Sequence, residues 1–199
     1  MERCRAAGAT ATLATPPGAP DLDSRFHTYG TILGVWLVMV PFALVHDQAI
    51  VTISPEHFTR DHEPLFGLTG ARSLATAYAF AATVLPGIAL GLTMVLVYRV
   101  GPRPKLSFRR VFMDTALAMA IAEAIAWAAG AWIWLGGSTP YPASWSPDNA
   151  IDTVLTQTVQ VTLYFACAAI SGLLVMRAAW SRSQLHAAVN AITDSSIRD

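Results

Sequence analysis

"SLATAYAFAATVLPGIALGLTMVLVY", residues 73–98, runs for 26 residues without a charged side chain. At 1.5 Å per residue such a helix is about 39 Å long, enough to cross about 30 Å of hydrocarbon. Lipid offers the peptide backbone no hydrogen-bond partner, so a segment like this must be helical to sit there.

Three more stretches read the same way. The expected spans are about 27–46, 73–98, 113–135 and 153–176. Charged residues make up 13% of the 199-residue chain, about half the share usual in soluble domains, and they collect between the apolar runs. The fold class expected is all-α: an integral membrane four-helix bundle over 26–178. Residues 1–25 read as a disordered cytoplasmic tail rich in Ala, Thr, Pro and Gly, with no apolar signal-peptide core. Residues 179–199 read as a short cytoplasmic tail in which Leu185, Ala188, Val189 and Ile192 share one face of an amphipathic helix.

Cations sort by side. Eleven of the 13 Lys and Arg residues lie before span one, between spans two and three, or after span four; only Arg60 and Arg72 lie elsewhere. By the positive-inside rule both termini are cytoplasmic, and loops 47–72 and 136–152 are extracytoplasmic. Those outer loops carry Asp47, Glu56, Asp61, Glu63, Asp148 and Asp152, so the outer face is acidic. Trp132, Trp134, Tyr141 and Trp145 read as an interfacial aromatic belt. Contact with membrane lipids follows, and the basic turn "RVGPRPKLSFRRVF" suits anionic headgroups.

Small residues recur at four-residue spacing: Gly30 and Gly34, Gly87 and Gly91, Ala118, Ala122 and Ala126, Ala168 and Gly172. Such rows let helices approach closely, within one chain, in a homo-oligomer or against a partner membrane protein. Pro41 and Pro86 are expected to kink their helices.

Two groups of polar residues invite a chemical reading. Glu123 stands near the centre of span three, where an unpaired carboxylate is costly. Its expected partners lie on span four, with Gln160 and Tyr164 in contact and Gln157 on an adjacent face. One reading is a proton or cation relay; the other is a protonated carboxyl hydrogen-bonded across a helix pair. The second group is "VHDQAIVTISPEHFTRDHEPLF", residues 45–66, which holds three of the five histidines. His46, Asp47, Glu56, His57 and His62 are candidate ligands for a divalent metal, although their spacing follows no established ligand pattern. The alternative is a hydrogen-bonded polar cap whose histidines titrate near pH 6–7. Within it "AIVTI" reads as extended, Ser54 as a helix cap, and Phe58, Leu65 and Phe66 as dipping into the interface. No cofactor is expected beyond that metal alternative.

The pattern His46-Asp47-Gln48, then Glu56 and Phe58, then His62, Pro64 and Phe66, then Gly101, Arg103 and Pro104 resembles an uncharacterised family of bacterial four-helix integral membrane proteins. The resemblance covers about 30–104 and implies a bacterial plasma-membrane topology without an activity. Some members carry a histidine in the last helix, where "TQTVQVTLYFACAAI" has none.

The sequence shows no phosphate-binding loop, nucleotide motif or nucleophile context, and nucleic acid is not an expected partner. The reading is a non-enzymatic multi-pass membrane protein, an accessory or structural subunit with an ordered acidic outer cap. Two alternatives stand beside it: an oligomeric small transporter or channel using Glu123, and a metal-dependent membrane enzyme using the His46–Glu63 cluster.

Overall fold

A computed structural model describes residues 22–100, 107–146 and 148–198, with 22–24 and 189–198 described by backbone alone. The N-terminal tail through residue 21 and most of the basic turn, 101–106, lie outside the described residues. The described residues are helical apart from loops: α1 Leu22–Ile53, α2 Glu56–Thr59, α3 Ala71–Arg99, α4 Phe108–Trp134, a 3-10 turn Ala143–Trp145, and α5 Ile151–Arg198. Four of these helices are long and apolar enough to cross a membrane. Large side chains such as Leu33, Leu37, Leu85, Leu96, Leu117 and Leu173 point outward along them, as a lipid surround requires.

Two helices outrun their expected bounds. α1 continues through "HDQAIVTI" to Ile53, so this stretch is helical and not extended. Packing overrides the strand preference of its β-branched residues: Ile50 and Val51 are buried against Phe58, Leu74 and Ala75. The first effective stop is Pro55, which disfavours helix at the residue before it. α5 runs unbroken past 176, because nothing between Arg177 and Ser183 is a Gly or Pro that would end it. Arg182, buried at 3% exposure, ties this extension to α3 by donating to the Val97 and Val100 carbonyls.

α3 packs closely on α1, and α4 on α5. A Cβ at Gly91 would stand 2.7 Å from the Ile32 Cα, and one at Gly87 2.8 Å from the Trp36 ring. Gly34 is covered by Phe112 of α4, and Gly130 by Val159 of α5. Gly172 differs: nothing approaches the place of its Cβ. Its row, with Ala168, lines a cavity instead of a helix contact.

The core has two parts. One gathers Ile50, Phe58, Leu74, Ala126, Leu155 and Val159. The other gathers Val35, Met39, Met94, Tyr98, Val111 and Ala178. Cys167 borders both.

The cap over the first core part is ordered. Phe58 is buried at 1% exposure and does not reach outward, whereas Phe66 is 84% exposed. Ser54 does not cap α2; its Oγ is buried without a hydrogen-bond partner, and α2 carries no side-chain cap. Arg60 pairs with Asp61 at 2.7 Å and with Asp148 at 3.0 Å, joining the two loops at this end. Gln48, Arg72 and Thr76 link α1 to α3 beneath it.

Candidate functional site

Because α1 stays helical beyond residue 46, His46 is carried into the bundle beside the middle of α4. It is 2% exposed. Its Nδ1 lies 2.9 Å from Glu123 Oε2 and its Nε2 lies 3.1 Å from Gln160 Oε1. Gln160 Nε2 in turn donates to the Tyr164 hydroxyl at 2.6 Å. Four side chains from α1, α4 and α5 thus form one hydrogen-bonded chain. The expected approach of Glu123 to Gln160 and Tyr164 runs through His46 and not through a direct bond. Gln157, half-buried on α5, does not join it.

The orientation of the Gln160 amide assigns the protons. Its nitrogen donates to Tyr164, so its oxygen accepts, and His46 Nε2 must be the donor. The His46–Glu123 bond then holds one proton, either on the imidazole Nδ1 or on the carboxyl. The two are equivalent in net charge, and both avoid an isolated buried ion. This is the basic partner for Glu123 that reading the helices separately does not supply.

Two carboxyl groups around this chain keep oxygens without a partner among the described residues. Glu123 Oε1 is buried without a hydrogen-bond partner. Asp47, 5% exposed, makes no hydrogen bond to any described residue. Asp47 and Glu123 both border a cavity of about 660 Å³ among α1, α3, α4 and α5, within the range of about 300–1,000 Å³ common for small-molecule sites. The cavity follows α5 from Gln160 to Val175, a length of about 22 Å. Its carboxyl groups gather at the Asp47 end with Gln160 and Tyr164, and Met39, Leu90, Met119, Leu163, Ser171 and Val175 line the remainder. Thr83 and Thr93 also face it, but their hydroxyls donate to carbonyls of their own helix. Pro86 stands in the α3 wall, where its missing N–H loosens the helix ladder. Glu123 and His46 also border a second, smaller groove between α1 and α4, with Val45 and Trp127.

The candidate metal ligands are spread over two places. His46 and Asp47 belong to the bundle, as above. His57 and His62 belong to the cap, with ring centroids 4.7 Å apart. Glu56 faces outward. Among the described residues, no three His, Cys, Asp or Glu side chains gather as a metal site needs. His62 Nδ1 donates to the His57 carbonyl at 2.6 Å, which locks the loop back on itself. Burial, and then the neighbouring His62, push His57 from its ordinary 6.5 down to about 4. His57 is therefore neutral near pH 6–7, where an exposed histidine would titrate.

No family model, curated protein or solved structure matches the chain.

Its chemistry rests on the geometry alone. Both nitrogens of His46 are engaged, so the ring is not free to act as a general base. What the site offers a guest is the Asp47 carboxyl, with Glu123 beside it, at one end of a mostly apolar crevice. Sequence reasoning places Asp47 in an outer loop; helix continuity to Pro55 is the signal that puts it inside.

Proposed function

We propose that this is a multi-pass protein of a bacterial plasma membrane that serves as a non-enzymatic binding subunit, holding a membrane-soluble guest in the crevice between α3 and α5. The observation that carries the reading is the Glu123–His46–Gln160–Tyr164 chain opening, with Asp47, onto a cavity of about 660 Å³. A purely structural hydrogen-bonded pair would be sealed between packed helices, and this one is not. The distribution of Lys and Arg supports cytoplasmic termini and an outer position for the cap and the 135–150 loop. The engagement of both His46 nitrogens supports binding over catalysis.

A second reading has one observation in its favour. Glu123 borders both the main crevice and the groove between α1 and α4, which suits an oligomeric transporter passing a proton across that carboxyl. In liposomes it requires a proton flux that Glu123→Gln removes; absence of flux leaves the binding subunit.

Cys167 tests the crevice directly, because it lines the wall beside Glu123. In a Cys4→Ser background reconstituted in nanodiscs, an apolar organomercurial should modify Cys167. Gly172→Leu, which fills the empty space beside it, should block the reaction. A thiol that reacts only after denaturation would mean a closed bundle and would end the binding reading.

A further inference from the structure

The crevice has a polar end and an apolar body, and the polar end is one-sided in charge. Asp47 and Glu123 face it, whereas no Lys, Arg or His side chain among the described residues lines it. His46 already compensates Glu123 through the proton the pair holds. Asp47 has no such hydrogen-bonded partner, although His46 is near enough to act on its charge. Asp47 is a buried residue at 5% exposure, and its carboxyl has no hydrogen-bond partner among the described residues. A carboxylate out of water is costly unless a cation or a donor meets it. The neighbouring Glu123 Oε1 is a second acceptor without a donor.

Resting on the reading of the crevice as a binding site, we propose that its guest is a cationic amphiphile: an ammonium group seated between Asp47 and Glu123, and a hydrocarbon body lying along the α3–α5 wall toward Val175. An ammonium has three N–H donors. The two Asp47 carboxylate oxygens accept two of them, and the Tyr164 hydroxyl oxygen stands at the same end for a third. The apolar walls exclude water, which strengthens this charge-assisted pairing. Carboxylate and sulfonate heads are disfavoured, because they would meet two carboxyl groups and no cation. A phosphatidylethanolamine headgroup carries the right ammonium but also a phosphate for which the lining has no partner, so a simple amine fits better than a phospholipid.

The test uses the full chain with Cys4→Ser in phosphatidylcholine nanodiscs and reads protection of Cys167 from the organomercurial. Dodecylammonium should protect saturably. Dodecanol, with the same tail, should need at least tenfold more, and dodecanoate should not protect. Asp47→Asn keeps the shape and removes the charge, so it should weaken dodecylammonium at least tenfold and leave dodecanol unchanged. Asp47→Glu should restore part of the difference. Equal protection by all three compounds, or an Asp47→Asn protein that binds the amine as before, overturns the ammonium assignment and leaves the crevice intact. An unreactive Cys167 without any ligand overturns the crevice itself, so the two failures are distinct. Nanodiscs containing phosphatidylethanolamine supply the other source of the same head. Protection there, lost in Asp47→Asn, supports ammonium recognition with a lipid as the donor of the group; no protection supports the free amine.

Discussion

The seam between α1 and α3 and the seam between α3 and α5 begin from the same kind of sequence and end differently. Each offers small residues four apart, Gly87 and Gly91 for the first, Ala168 and Gly172 for the second. At the first the helices close until the Ile32 backbone fills the space beside Gly91. At the second, Gly172 faces open space and the wall becomes a crevice. A small-residue row thus permits close approach without causing it. Close approach also needs a partner helix held in register, and the cap supplies that by gathering Phe58 into one core with Ile50 of α1 and Leu74 of α3. α5 is held to α3 at the Arg182 end, and the middle is left apart.

The largest expected effect comes from breaking the closed seam. Gly91→Val places a side chain 2.7 Å from backbone, which cannot yield as a flexible side chain can. A loss of about 3 kcal/mol is expected, visible as a lower midpoint in thermal denaturation in detergent. An unchanged midpoint would show that the α1–α3 contact is not tight.

The cap over that seam should respond to acid through His57. In the folded protein His57 takes its proton near pH 4, against an ordinary value of 6.5. Between those values the opened cap binds the proton and the closed cap does not, so stability falls as pH drops from about 6.5 to about 4 and is flat above. The full difference is at most about 3 kcal/mol. Hydrogen exchange of residues 54–62 followed across that range should show the slope, and His57→Gln should flatten it. An equal slope in both proteins would assign the acid response to another group.

The smallest effect belongs to the open seam. Gly172→Ala meets nothing and gains helix propensity, so a stabilisation of up to about 1 kcal/mol is expected. If it destabilises the protein as Gly91→Val does, the two seams are alike and the contrast between them is lost.

The four spans were legible because hydrocarbon thickness and the backbone's need for hydrogen bonds leave a 26-residue uncharged run such as 73–98 no other structure. Gln160 and Tyr164 were legible as polar residues on one face of α5, and Glu123 as a carboxyl that needed a partner. The partner itself was not. His46 and Asp47 follow an apolar run and begin a polar one, so hydropathy alone ends the helix there; Ile50 and Val51, packing on Phe58 and Leu74, carry it on to Ile53. In the same way, no local pattern tells Gly91 from Gly172 or shows that Phe58 turns inward. Local composition determined which segments can enter a membrane. Which polar groups meet inside it, and where the bundle stays open, was decided by contacts between helices far apart in the chain, as between His46, Glu123 and Gln160. Those contacts depend on register and packing, and periodicity within a single helix carries neither.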